Sequence, residues 1–178
     1  MSRMSRTLSL IAGLSAVPLA SIALAQQPVS ALKGHDPDAP IDVAADRIEV
    51  QDRADRAVFA GNVRVRQASL TLDTERLTVA YTSAGGIQIR RLDASGGVTV
   101  RSPSETARGN FGIYDLDRKL ITLVGGVQLN RNGSQINGQR LTIDLNSGRA
   151  VVDGGPAGVG QSGGRVTGHF TVPRRGGN

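Results

Sequence analysis

The stretch Val58–Gln67, VFAGNVRVRQ, decides how the rest of the chain is read. A glycine-asparagine corner, Gly61-Asn62, is followed by valines alternating with arginines: Val63 and Val65 have one parity, Arg64 and Arg66 the other. Period two is the signature of a strand with one apolar and one wet face. The same corner and strand return as ASGGVTVRS from Ala94 and as LVGGVQLNR from Leu123. None of the copies carries a nucleophile elbow, a metal-ligand cluster or a phosphate loop.

Alternation continues along the chain. Ile41 and Val43 flank Asp42, Leu70 and Leu72 flank Thr71, and Leu77, Val79 and Tyr81 continue the pattern before Val98 and Val100. Clusters of glycine, asparagine and serine punctuate it at Gly61-Asn62, 83–86, Gly96-Gly97, Gly125-Gly126, 130–134 and 146–148, and these are expected to be hairpin turns. No segment holds a helical period. The expectation is an all-β chain of short antiparallel strands. Sliding the sequence by 29 residues lays GNFGIYDLDRKLITLVGG, from Gly109, on GQRLTIDLNSGRAVVDGG, from Gly138, without gaps, and DRIEVQDRADRAVFAGNV is a looser copy near the front. Such units bury their apolar faces by stacking. Phase puts Phe59, Leu123 and Val152 on the inner parity, followed by Val63, Val65, Val127 and Leu129. Arg64, Arg66, Thr99, Arg101, Gln128 and Asn130 face water.

The ends bound the domain. MSRMSR followed by an apolar run to Ala25 reads as a signal peptide over 1–25, cleaved near Ala25-Gln26. Residues 26–39 read as a disordered leader, 40–172 as one domain and 173–178 as a disordered basic tail. GGPAGVGQSGG, 154–164, reads as a flexible loop. Removing Arg3 and Arg6 from the 21 basic residues leaves 19 against 15 acids, a mild excess. With no basic helical stripe and no aromatic platform, nucleic acid is a poor partner. Cysteine and tryptophan are absent, so sheet and aliphatic core alone must hold the chain together. No cofactor, metal site or catalytic group is expected. His35 lies in the leader and His169 on a wet strand face, neither at ligand spacing. Asp115 and Asp144 precede polar turns, where aspartate caps backbone amides. Their pairing as hydrolase acids is the weaker alternative.

PIDVAADRIEVQDRADRAVFAGNVRVRQASLTLDTERLTV, followed by GGVTV, ARGNFGIYDLDRKLITLVGGVQL and INGQRLTIDLNSGRAVVDGG, resembles the LptA/OstA-like family of periplasmic lipopolysaccharide-transport proteins over roughly Pro40 to Gly155. The resemblance implies an open twisted β-jelly-roll with an apolar interior and lipopolysaccharide as cargo. It also implies head-to-tail homo-oligomers and partners like the inner-membrane subunit LptC and the outer-membrane subunit LptD. The groove lining it implies comprises Ile48, Val50, Phe59, Val63, Val65, Leu70 and Leu72. It continues through Leu77, Val79, Val98, Val100, Phe111 and Ile113, and ends with Leu123, Val127, Leu129, Leu141, Ile143 and Val152. Arg64, Arg66, Arg76 and Arg101 are solvated faces or, alternatively, contacts for lipid phosphates. Two other readings stand beside the carrier: an LptC-like membrane-anchored component, and a structural β-repeat protein with a solid interior.

Overall fold

The computed structural model describes Leu32, residues 35–155 and residues 164–171. The expected signal peptide, the basic tail and all but the ends of the glycine-rich stretch lie outside the described residues. Ten strands form one antiparallel sheet: β1 (Ile41–Ala44), β2 (Arg47–Gln51), β3 (Arg56–Gln67), β4 (Leu70–Thr82), β5 (Gln88–Arg101), β6 (Glu105–Asp115), β7 (Leu120–Arg131), β8 (Ser134–Asp144), β9 (Arg149–Asp153) and β10 (Thr167–His169). Strands β3 to β8 neighbour one another in chain order. At one end β1 and β2 share β3; at the other β9 and β10 share β8. The sheet does not close, and the expected all-β open roll is borne out.

The glycine corners are not hairpin turns. Each lies inside a continuous strand, where two residues oppose one on the neighbouring strand. Gly61 and Asn62 of β3, and Gly96 and Gly97 of β5, both face Glu75 of β4; Gly96 and Gly97 also face Asn110 of β6; Gly125 and Gly126 of β7 face Gln139 of β8. A two-against-one bulge bends a strand and strengthens its twist. Aligned across six strands, the bulges fold the single sheet into two facing layers, one ending in β2 and β9, the other in β1 and β10. The layers meet: a Cβ built on Gly112, in the β2–β9 layer, would lie 3.1 Å from Val98 Cγ1 of the other layer. Hairpins sit instead at the two outer rims, where β3 passes to β4 at Ala68-Ser69 and β6 to β7 at 116–119.

Aspartate caps these hairpins. Asp115 accepts from the Arg118 amide at 2.9 Å, and Asp144 from the amides of Asn146 at 2.9 Å and Ser147 at 3.2 Å. Those backbone bonds hold the Asp144 carboxyl below the usual carboxylate range.

The bulge demands positive φ from both of its residues. Gly96 (φ 87°) and Gly97 (φ 85°) share that strain, but a Cβ on Gly96 would come within 2.7 Å of Glu75 Cβ, whereas nothing lies within 4 Å of one on Gly97. Gly97→Ala is expected to cost about 1–2 kcal/mol from φ alone. Gly96→Ala should cost about 1–3 kcal/mol more through overpacking. Denaturant unfolding of the two variants checks the difference.

Candidate functional site: the interior between the layers

Backbone register assigns the inner face without reference to hydropathy. Directly opposed residues share a side of the sheet, and one row crosses the entire β2–β9 layer: Ile48, Phe59, Leu77, Ala94, Gly112, Leu123, Leu141, Val152. A parallel row in the other layer runs Val43, Val65, Leu72, Val100, Ala107, Leu129, Ile136, Gly168. Both rows reach from one open end of the sheet to the other.

Of the nineteen residues expected to line the interior, thirteen are buried: Val63, Val65, Leu70, Leu72, Leu77, Val79, Val98, Val100, Leu123, Val127, Leu129, Leu141 and Ile143. Phe59, Ile113 and Val152 are half-buried. Ile48 and Val50 sit on the inner parity of edge strand β2 with no further strand to cover them, and are 55% and 56% exposed. Phe111 corrects the expectation. It lies on the outer face, 57% exposed, and Ile113 shares its parity. The reason is Asn110, the single residue of its bulge: inner parity runs Ala107, Gly109 before it and Gly112, Tyr114 after it. Gly112 and Tyr114 therefore hold the inward places. Leu92, Ala94 and Ile121 also belong to the core, and stepping back by two from Val98 through its corner, or from Leu123, would have found them. Tyr114 could be found only by knowing that a one-residue corner reverses phase.

The interior is mostly shut. Leu77, Leu123 and Leu141 have no exposure, and the cavity beside Leu92, Val100 and Leu123 measures about 20 Å³, about the space of one water. At the β9–β10 end the layers part. A pocket of about 560 Å³ opens there between Leu129 and Ile136 of one layer and Ala150 and Val152 of the other, with Val166 and Phe170 beside it. That volume suits an organic ligand. Glu105, 5% exposed, stands at this mouth with its carboxylate 3.2 Å from Arg131.

The rim opposite the corners is polar and tied together. Gln67, 3% exposed, accepts from the Tyr114 hydroxyl at 3.0 Å across the two layers; burial pushes that phenol up to about 12, with Gln67 opposing. Gln67 also donates to the carbonyls of Pro37 at 2.9 Å and Ala39 at 3.0 Å. The stretch read as a leader is thus seated on the rim from His35 onward. On the outer face, Arg64 and Arg101 both reach Asp73. Its burial raises the carboxyl pKa, but the two guanidiniums outweigh this and the net shift is downward.

An unclosed antiparallel sheet, doubled over an aliphatic interior and carrying no cluster of metal-ligating groups among the described residues, is the architecture of an open β-jelly-roll. Residues 42–149 match the family LptA/(LptD N-terminal domain) LPS transport protein, and the chain belongs to that family. It is 34% identical over 152 residues to uncharacterized protein R00383 of Rhizobium meliloti (strain 1021), covering 80% of this chain and 82% of that one. It is 26% identical over 159 residues to the lipopolysaccharide export system protein LptH of Pseudomonas aeruginosa, covering 84% and 87%. The crystal structure of that LptH, described as the LptA-homologous periplasmic component of the lipopolysaccharide transport device, superposes with a TM-score of 0.67 at 18% identity, over 78% of this chain and 99% of that one.

His35 supplies a pH test of the seated leader. Burial lowers its pKa from 6.5, with Gln67 and Asp36 opposing. The unfolded chain takes the proton first, so the neutral ring's contribution is full above about pH 6.5 and is lost as pH falls through the lowered folded value. Thermal midpoints compared near pH 7.5 and pH 5 should drop further for the wild type than for His35→Gln.

Proposed function

We propose that the protein is a periplasmic carrier that binds lipopolysaccharide by its acyl chains between the two layers and passes it along a chain of like subunits, without catalysing a reaction. Its partners are further copies of itself, an LptC-like subunit at the inner membrane and an LptD-like subunit at the outer membrane. The observation that carries this reading is the pair of apolar rows running uninterrupted between two open edges, in a member of a lipopolysaccharide-transport family. Facing sheets stand about 10 Å apart, room for an acyl chain once the side chains give way. Burial contributes roughly 0.8 kcal/mol per methylene, so the lipid does not escape to water, yet moving between grooves of the same lining changes little. The 560 Å³ mouth, lined by Leu129, Ile136, Ala150 and Val152, supports this reading as the place where entry would begin.

Photo-crosslinking residues at Phe59, Leu123 and Leu129 should yield lipopolysaccharide adducts, and one at outward Phe111 should not. Adducts at none of the inner three, or equally at Phe111, would sink the carrier.

Strand directions determine how copies would join. Because β2 runs antiparallel to β3 and β9 to β8, a second copy continuing the sheet lays its β2 antiparallel to β9. Continuity of the inner rows then sets Ile48 opposite Val152 and Val50 opposite Ala150. On the outer face the same register sets Arg47 opposite Asp153. Arg47→Asp or Asp153→Arg should weaken association several-fold, since a cross-strand charge pair is worth about 0.2–1 kcal/mol and like charges reverse its sign. The double variant should recover it, as read by light scattering against concentration.

A further inference from the structure

The closed interior and the seated leader belong together. The residues ahead of β1 touch both layers, and they do so along the one long side where the glycine corners do not join them. Leu32 is 6% exposed and packs in the core cluster, its amide 3.4 Å from the buried Glu105 carboxylate at the start of β6. The His35 amide donates back to the Leu32 carbonyl at 3.1 Å. Gln67, at the end of β3, holds the carbonyls of Pro37 and Ala39. These anchors lie on the rim of the β1–β10 layer. Asp38 crosses to the opposite rim, where the Lys119 ammonium of the β6–β7 turn lies 2.9 Å away. Tyr114, reaching Gln67 from the β2–β9 layer, joins the two rims beneath.

We propose that Leu32 and residues 35–39 form a strap that holds the layers shut along their open seam, and that this strap must leave the rim before the interior admits a long apolar ligand. The inference rests on the carrier reading for the identity of the ligand, but the closure itself does not. Leu32 occupies apolar space that a ligand's alkyl chain would take, so strap and ligand compete. On the opposite side the layers are joined by every strand from β3 to β8, each continuing through a bulge, so the seam is where they can part. The latch is weak: the Asp38 side chain is 75% exposed, and an ion pair in water holds little. An anionic headgroup arriving at the rim competes with Asp38 for Lys119, so headgroup capture and strap release favour each other.

The chain has no cysteine, so a double variant Asp38→Cys, Lys119→Cys can be locked with a short thiol-reactive bridge and compared with itself unbridged. Uptake of a pyrene-labelled hexadecane, an uncharged dye carrying a long alkyl chain, is read by fluorescence, and binding of lipopolysaccharide micelles by co-sedimentation. Bridging should lower dye uptake at least about tenfold, because apparent affinity falls in proportion to the open population. In the unbridged, cysteine-free chain, Leu32→Ser should raise uptake over the wild type with cooperative unfolding retained. Equal uptake by bridged and unbridged protein, or uptake by neither, overturns the strap. If bridging lowers dye uptake but the unbridged protein binds no lipopolysaccharide, the strap stands and the carrier reading falls. If both forms bind lipopolysaccharide alike, the carrier reading stands and the strap falls.

Discussion

Everything in this molecule depends on six neighbouring strands bending at the same level. A sheet exposes one apolar face, and a chain of this size without disulfides must cover that face with something. Here the sheet covers itself. Two residues at positive φ on β3, β5 and β7 oppose one polar residue on β4, β6 and β8, and the stacked bulges turn a flat ribbon into a folded one. A barrel would remove its edges by closing; a doubled sheet keeps both ends open.

Open ends and a shut middle are the two facts a function must reconcile. Edge strands are ordinarily a hazard, and in this fold they are short, with charged outer faces: Arg47 and Glu49 on β2, Arg149 and Asp153 on β9. Their inner faces are apolar, so the ends resemble cut surfaces of a longer object. The middle, with Leu77, Leu123 and Leu141 fully covered, is a stable resting packing. A protein that binds long alkyl chains transiently needs such a state, because an empty apolar groove of that length would collapse or aggregate.

Among the described residues, the buried polar side chains of Gln67, Thr74 and Glu105 are satisfied by the fold's own geometry. Thr74 donates to the Ser95 carbonyl at 2.8 Å beside its bulge. Gln67 uses its amide nitrogen for two leader carbonyls and its oxygen for Tyr114. Glu105 meets Arg131 and the Leu32 amide. Gln67 and Glu105 lie at strand ends on the seam, where the chain's own leader supplies what water would otherwise provide.

Much of this was legible in the residues themselves. Period-two alternation is set by backbone pleating, so the strands, the antiparallel class and most inward side chains, from Val63 to Ile143, could be read by counting. The repeated Gly-Gly and Gly-Asn pairs marked where the backbone departs from extended geometry, since few other residues tolerate positive φ. Whether such a pair reverses the chain or merely bends it depends on pairing across strands, and that only the tertiary structure decided. The same is true of Phe111, whose facing is set by the single bulge residue Asn110, and of residues 35–39, part of the stretch read as a disordered leader. Its polar groups find partners only because Gln67, which donates to two of its carbonyls, Glu105, which accepts from the Leu32 amide, and Lys119, which pairs with Asp38, converge along one seam when the sheet folds over.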